Sequence, residues 1–285
     1  MTIEKNRLRL GLIQLGLSLV RLKYEQEFIM KLKLVHPLML ASSLFIAGQA
    51  NAATAIDPAA LLGQAQAQAQ ASFDGLAEDL AVAAWMNPSN SAEPHSAGFI
   101  PVGVQIALES AFVDIDPAAA HWSQIGYTAD VIPMPRLRAS VGVPFGLDVG
   151  VMYLSATDLK LEMIGYEVRM AFGNYIPVPF LEANVRYHTS TLTAGELEIG
   201  NSGFAAMVGA NLPFVKPYIE VGTLTSTSTP SGSLVAGPVV LAGSENTYTT
   251  TAIGAKLEFM FMVLNAELAT VGDRTSTNVK LGFEF

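Results

Sequence analysis

From residue 99 to the end of the chain, apolar and polar residues alternate, and no other feature constrains the fold as strongly. In the closing stretch NVKLGFEF, Val279, Leu281, Phe283 and Phe285 fall on one side and the remaining residues on the other. A period of two indicates a β-strand with one apolar face. About ten such segments follow one another, so we expect about ten strands, with eight or twelve as alternatives.

The second face of these segments is polar and carries charges. A soluble sandwich or a lipocalin buries its apolar face, whereas a membrane barrel turns that face to lipid and keeps the polar face in its lumen. Alternation alone does not separate these classes. In a membrane barrel, the charged residues expected to face the lumen are Glu109, Arg138, Asp148, Glu167, Arg169, Glu182, Arg186, Glu220, Lys256, Glu258 and Glu267.

The connections between segments alternate in length. The tight links are 144–146, 173–179, 213–215 and 260–261, and the longer ones are 113–135, 189–202 and 226–247, with lesser links at 157–159 and 272–276. If residues 53 and 285 lie at the same end, every tight link falls there and every long loop falls at the other end. Outer-membrane barrels have this asymmetry, with short periplasmic turns and long external loops.

Aromatic residues near the segment ends fit the two aromatic girdles of a membrane barrel. Those predicted at the tight links are Phe145, Phe172, Tyr175, Phe180, Phe214, Phe259, Phe261 and Phe285. Those predicted at the opposite end are Phe112, Trp122, Tyr127, Tyr153, Tyr187 and Tyr248. A soluble core would scatter its aromatic residues through the middle of the strands.

The final strand also resembles the C-terminal signal that the outer-membrane barrel assembly machinery reads. Val279, Leu281, Phe283 and the terminal Phe285 occupy the alternate apolar positions of that signal. Taken together, these features predict an all-β fold, a transmembrane up-and-down antiparallel β-barrel of about ten strands over residues 99–285. An N-terminal helical segment is predicted to precede it.

The N-terminal region indicates export. Residues 30–52 have a basic start, an apolar stretch and the cleavage motif Ala50-Asn51-Ala52, which is typical of a signal peptide cut near Ala52/Ala53. Residues 1–29 are predicted to be an over-extended translation start or a basic membrane-surface helix. The expected destination is the outer membrane of a Gram-negative bacterium.

Residues 53–98 form a separate segment. Asp57-Pro58 is a helix-start signal, and the run QAQAQAQ favours a helix. The later stretch NPSNSAEPHSAG is turn-forming. Two interpretations stay open, a periplasmic helix on a linker and a plug folded into the barrel lumen.

Composition argues against several functions. The formal net charge is −9, and removal of the basic leader makes the remainder more acidic, so binding to nucleic-acid phosphates is not expected. Cysteine is absent, which excludes disulfides and thiol chemistry. His95, His121 and His188 lie outside any metal-ligand spacing, so neither a metal nor a cofactor is expected. His188 is a candidate catalytic base, but a solvated histidine at the rim is the favoured interpretation, and no enzyme is predicted.

Two motifs carry a family resemblance. The stretch AEPHSAGFIPVGVQIALESAFVDID at 92–116 and the stretch PRLRASVGVPFGLDVGVMYLS at 135–155 resemble an uncharacterised family of exported bacterial outer-membrane β-barrel proteins. More distantly, LAVAAWMNPSN at 80–90 is similar to the N-terminal hatch of the long-chain fatty-acid outer-membrane channel family. The first resemblance implies a barrel without a known activity.

The sequence therefore leaves three functional hypotheses. The first is a narrow or plugged channel for a small or hydrophobic solute, since about eight strands leave room only for side chains or one small ligand. The second is a closed structural or adhesive barrel without transport. The third, less favoured, is a barrel enzyme or a soluble lipocalin-like binder. The expected partners are outer-membrane lipid, the barrel assembly machinery and the solute.

Overall fold

The computed structural model describes residues 55–95, 102–156 and 160–285, so the predicted segments 1–29 and 30–52 lie outside the described residues. In the described chain ten strands form a closed barrel in which sequence neighbours pair antiparallel and the last strand pairs with the first. The strands are β1 (Gly103–Asp114), β2 (Val131–Val143), β3 (Leu147–Ala156), β4 (Leu161–Ala171), β5 (Leu181–Ala194), β6 (Leu197–Ala210), β7 (Val215–Pro230), β8 (Glu245–Phe259), β9 (Met262–Val271) and β10 (Arg274–Glu284). The predicted ten-stranded barrel is confirmed.

Within the described residues, two α-helices accompany the barrel. Helix α1 (Gln66–Ala84) precedes it, after a 3-10 turn at Pro58–Gly63 whose first amides are capped by Asp57. Helix α2 (Ala120–Ile125) lies in the loop between β1 and β2. No helix in the described residues is long and apolar enough to cross a membrane.

Strand alternation sorts the side chains as the period of two predicts. Outward side chains such as Val149, Ile219 and Leu268 are exposed, whereas the inward Asp148 and Glu220 are buried. In this part of the barrel the exterior is apolar and the interior is polar, which is the pattern of a membrane barrel and the inverse of a soluble sheet.

The tight connections share an unusual backbone conformation. Phe145, Phe180, Phe214 and Met260 have φ values of 74°, 65°, 67° and 60°, a left-handed region that costs a residue with a side chain about 1–2 kcal/mol. The three phenylalanines each follow a proline. All four side chains are exposed, Phe145 to 86%, so each turn holds a large apolar group away from the barrel. We call the end of the barrel that carries these four connections the short-turn end.

The opposite end, which we call the long-loop end, departs from prediction. The expected loop 189–202 is strand, because β5 and β6 continue to a tight turn at Gly195, where φ is 60°. The expected loop 226–247 shortens to 231–244 and contains a 3-10 helix at Gly232–Val235.

The second aromatic girdle is also only partly as predicted. Tyr153 and Tyr187 are exposed on the outer face. Trp122 and Tyr127 are instead buried and pack against each other in a tilted arrangement, with ring centroids 5.2 Å apart. Tyr248 faces inward against the core. These three residues therefore close the interior at the long-loop end and do not contact lipid.

Candidate functional site: the filled lumen

The lumen holds residues 66–95, which we call the lumenal segment. Its first part is α1, which starts at the long-loop end, where the amides of Val240 and Ala242 donate to the side chains of Gln66 and Gln70 at 2.9 Å. Its last part is the extended stretch 85–95, which ends at the short-turn end. The segment therefore crosses the barrel from one end to the other.

In the described chain, Asp57 lies at the long-loop end and not beside residue 285, while residue 53 lies outside the described residues. Lys160, in the β3–β4 connection, donates to Asp57 at 2.9 Å. This hydrogen bond lowers the pKa of the Asp57 carboxyl below its usual value. Asp57 also accepts from the amide of Ala59 at 3.1 Å, so one carboxylate fixes the turn that leads into α1.

The half of the lumen nearest the long-loop end is apolar, and we call it the apolar tier. On α1, Phe73, Leu76 and Leu80 are fully buried. The inward side chains packed around them include Ile132, Met134, Met152, Leu154, Leu161, Met163, Leu192, Leu197, Ile199 and Leu224. Each such side chain contributes about 1.5–3 kcal/mol on burial, so α1 is held as a core element is held in a soluble protein.

The half nearest the short-turn end is polar, and we call it the polar tier. Here the lumenal segment is extended, so its carbonyls have no helical partner and need donors from elsewhere. Four arginines of the wall supply them: Arg136 to Trp85 O at 3.0 Å, Arg186 to Met86 O at 2.8 Å, Arg138 to Asn87 O at 2.9 Å and Arg169 to Ser91 O at 2.9 Å.

Smaller polar side chains continue this pattern at both ends of the stretch. Asn201 donates to Ala81 O at 2.8 Å and Asn184 donates to Ala92 O at 3.0 Å. Ser190 donates to the carbonyl of Ala84. Because these contacts reach main-chain atoms, the wall recognises the path of the segment more than its side chains.

Wall carboxylates orient the four arginines. The pairs are Glu109 with Arg136 at 2.6 Å and Arg138 at 3.1 Å, Glu167 with Arg138 at 2.7 Å and Arg186 at 3.4 Å, Glu220 with Arg186 at 2.8 Å, and Asp148 with Arg169 at 2.5 Å. Glu220 binds Arg186 through both oxygens, a geometry that fixes the guanidinium plane. The wall thus holds its donors in place for the segment.

Glu267 binds the segment without a cation. Its carboxylate accepts from the Asn87 side chain at 2.9 Å, the Ser89 amide at 2.9 Å and the Tyr218 hydroxyl at 2.6 Å. Ser89 has a φ of 40°, a left-handed conformation that brings its amide to this carboxylate. Glu267 therefore fixes the bend of the segment.

At the short-turn end, a carboxylate of the lumenal segment forms ion pairs with two lysines of the wall. Glu93 accepts from Lys216 at 2.8 Å and from Lys256 at 3.1 Å. Both lysines also contact Glu258, and Lys256 contacts Glu284 at 2.9 Å. Glu93 is therefore the anionic anchor of the segment at this end.

His95 links the segment to two further wall residues. Its Nε2 lies 2.9 Å from Ser140 Oγ and its Nδ1 lies 3.2 Å from Glu284 Oε1. This is the order of nucleophile, base and orienting carboxylate in a hydrolase, but Ser140 is only 3% exposed and Asn90 also contacts His95 Nε2 at 3.0 Å. In this arrangement the three groups act as a tether. The described residues contain no group of three side chains able to hold a metal ion.

At the long-loop end, Asp79 of α1 joins the lumenal segment to the β1–β2 loop and to β10. Its carboxylate accepts from Trp122 Nε1 at 2.7 Å and contacts His121 Nε2 at 2.9 Å, both on α2. Arg274, at the start of β10, reaches the other carboxylate oxygen at 3.1 Å. The β1–β2 loop is thereby fastened over the top of α1.

The structure places all eleven predicted lumen charges at inward strand positions. Nine are buried, namely Glu109, Arg138, Asp148, Glu167, Arg169, Arg186, Glu220, Lys256 and Glu267, while Glu182 and Glu258 are half-buried near the short-turn end. Of the predicted assembly signal, Val279 and Phe285 are exposed. Leu281 is half-buried, and Phe283 is buried beneath Phe261, with ring centroids 5.9 Å apart.

Sequence reasoning missed the uncharged donors and misplaced one histidine. Asn184, Asn201 and Tyr218 are inward at alternate strand positions, which is the signal that could have found them. His188 is fully buried, with Trp85 Nε1 3.4 Å from its Nε2, so the predicted solvated rim position is wrong.

The fold and its filled lumen define a class of protein, a β-barrel of the outer-membrane type whose interior is occupied by its own N-terminal segment. The chain belongs to the Family of unknown function (DUF6588), whose model matches residues 123–285. No curated protein matches the chain. The likeness of residues 80–90 to the long-chain fatty-acid channel family stays a prediction.

The chain is similar to several solved outer-membrane barrels at low sequence identity. The N-terminal β-barrel domain of Pseudomonas aeruginosa OprF is 12% identical, with a TM-score of 0.33 over 64% of this chain and 97% of that one. The KdgM porin, solved with disordered oligogalacturonate, is 10% identical, with a TM-score of 0.35 over 64% and 99%. The β domain of the Bordetella autotransporter BrkA is 9% identical, with a TM-score of 0.40 over 65% and 100%. These likenesses concern the barrel fold alone.

Proposed function

We propose that this protein is an outer-membrane barrel of a Gram-negative bacterium in which the lumenal segment plugs a narrow channel for a small solute. The observation that carries the proposal is the set of arginine hydrogen bonds to the main-chain carbonyls of residues 85–91. The proposal includes signal-peptide cleavage near Ala52 and insertion through the strand that ends at Phe285.

The polar tier supports a channel over a permanently solid core. Buried ion pairs contribute little net stability, and apolar residues of similar volume often serve as well or better. A wall that keeps Arg136, Arg138, Arg169 and Arg186 with matching carboxylates is a lining that can be hydrated once the segment leaves. Its mixed charge favours a small polar solute over a hydrophobic one.

One observation favours the alternative of a closed structural or adhesive barrel. The apolar tier packs Phe73, Leu76 and Leu80 of α1 with no exposed surface, as a permanent core would. This alternative predicts that the barrel never conducts, whatever is done to the segment.

Planar-bilayer recording separates the two functions. The full chain from residue 53 and a chain lacking residues 53–95 are refolded, and closure of each barrel is verified by its faster gel migration without boiling. The plugged channel predicts steady conductance only from the shortened chain. A closed and silent barrel in both cases supports the structural alternative, and equal conductance in both contradicts the plug.

A further inference from the structure

The outer surface of β7 and β8 changes chemistry partway along the strands. On β7 the outward Ile219 and Val221 are more than half exposed, and the next outward residues toward the long-loop end are Thr223, Thr225 and Thr227. Thr229 continues the row. On β8 the neighbouring outward residues are Thr249, paired with Thr223, and Thr247, paired with Thr225. We call these six threonines the hydroxyl wall.

The hydroxyl wall lies outside the apolar tier, where the interior of the barrel is apolar and its exterior is polar. Leu224 of β7 points inward and is fully buried, while the outward Thr223 and Thr227 are exposed and Thr225 between them is half-buried. A strand that is apolar inside and polar outside lies beyond the hydrocarbon of a membrane. The wall therefore starts at the level of the lipid headgroups.

An aromatic pair marks this level independently. Phe204 on β6 is the register partner of Thr223, and its ring lies 4.8 Å from that of Tyr187 on β5. Both rings are exposed on the outer face. Aromatic side chains concentrate where hydrocarbon meets headgroups, so the hydroxyl wall continues the lipid-facing surface directly.

The wall can bind neutral hydroxyl groups but not phosphate. The outward positions of β7 and β8 in the described chain carry neither lysine nor arginine, the residues that bind phosphate through charge-assisted hydrogen bonds. A threonine hydroxyl both donates and accepts. Thr225 and Thr247 contact each other at 3.2 Å, and no hydrogen bond within the described residues uses the hydroxyls of Thr223, Thr227, Thr229 or Thr249.

We propose that the hydroxyl wall binds the saccharide headgroups of the glycolipid leaflet that surrounds the barrel. Rows of hydroxyls match the alternating donors and acceptors of sugar rings, and the threonine methyl groups meet their C–H faces. This inference rests on the proposed outer-membrane location, and it is independent of whether the lumenal segment ever opens.

The test compares unfolding midpoints in two bilayers, one with glycolipid bearing a full core saccharide and one with the same glycolipid truncated to its phosphorylated lipid. We expect the saccharide to raise the unfolding midpoint of the wild-type barrel by about 3 °C, a shift that a modest stabilisation produces in a chain of this size. The variant Thr223→Val/Thr227→Val/Thr249→Val is expected to lose that gain. The matched serine variant, which keeps the hydroxyls, is expected to retain it.

Control and contrary outcomes are distinct. Thr277→Val, at an exposed outward position on β10, is expected to keep the full gain. Equal midpoints of the wild type in both bilayers, or an undiminished gain in the valine variant, overturns the inference. If free core saccharide, added to the barrel in a phospholipid bilayer, raises the unfolding midpoint equally, the partner is not a lipid-linked saccharide and this choice is overturned. If the triple valine variant does not fold, Thr227→Val is measured in its place by the same criterion. A failure of wild-type protein to insert in either bilayer contradicts the outer-membrane location itself.

Discussion

Glu93 offers the sharpest test of the plug, because it belongs to the lumenal segment and its replacement leaves the barrel wall intact. Its side chain is only 7% exposed and contacts Lys216 at 2.8 Å and Lys256 at 3.1 Å. Glu93→Gln keeps the shape and removes the charge. Breaking a buried ion pair costs about 3–5 kcal/mol. Both lysines keep Glu258 as a partner, so we expect the lower figure, about 3 kcal/mol.

The lost ion-pair energy destabilises only the closed state, because in the open state residue 93 no longer contacts either lysine. Every 1.4 kcal/mol changes an equilibrium about tenfold, so the fraction of time spent open is expected to rise about a hundredfold. Single-channel recording of refolded protein in planar bilayers measures that fraction directly.

Glu78→Gln provides the matched control. It makes the same chemical change on the same segment, but Glu78 is 42% exposed and lies 3.4 Å from Arg274. An exposed pair of this kind contributes about 0–1 kcal/mol, so we expect a change in open fraction of fivefold or less. If the two variants agree within twofold while both barrels are closed by gel migration, Glu93 is not an anchor and the plug argument fails.

Four further results are expected. Because the chain has no cysteine, Ala60→Cys should react with an impermeant maleimide on intact cells, whereas Val178→Cys should react only after permeabilisation; the reverse would overturn the orientation. Leu80→Ala should lower the free energy of unfolding by about 2–5 kcal/mol in urea titrations, and an unchanged value would place α1 outside the lumen. Phe285→Ala should reduce the folded band in outer-membrane fractions, and an unchanged amount would show that the final residue is not read during assembly. His188→Ala should lower the unfolding midpoint, because Trp85 loses its acceptor, and any loss of lipid hydrolysis with it would favour the enzyme hypothesis.

The barrel was predictable from sequence because hydrocarbon imposes a strict period of two on the strands that face it. Beyond the lipid the outward side chains are no longer apolar, and there the prediction of a loop at 189–202 was wrong. In β5 the apolar residues up to Tyr187 point outward, but Leu192 and Ala194 point inward. The alternation therefore continues with reversed sense. A search for outward apolar residues interprets 189–202 as a loop, although the backbone remains strand.

The charges of the lumen were predictable for the same reason, and their partners were not. Arg138 and Arg186 occupy inward positions that alternation identifies. The groups they bind on the lumenal segment are the carbonyls of Asn87 and Met86, which every residue type possesses. No residue pattern in 85–95 indicates that the wall binds its main chain. The sequence therefore does not decide between a periplasmic helix on a linker and a plug in the lumen.

The two tiers of the lumen explain why the segment changes from helix to extended chain where it does. Helix α1 satisfies its own amides and carbonyls, so it can lie in the apolar tier, where wall donors are scarce. The extended stretch 85–95 leaves its carbonyls open, and an unpaired buried carbonyl costs about 1–3 kcal/mol, so it is stable only in the polar tier beside Arg136, Arg138 and Arg169. Sliding the segment toward either end would bring open carbonyls against apolar residues or helix side chains against arginines. Intermediate positions are therefore unfavourable, and release of the segment should occur in one step between fully closed and fully open states.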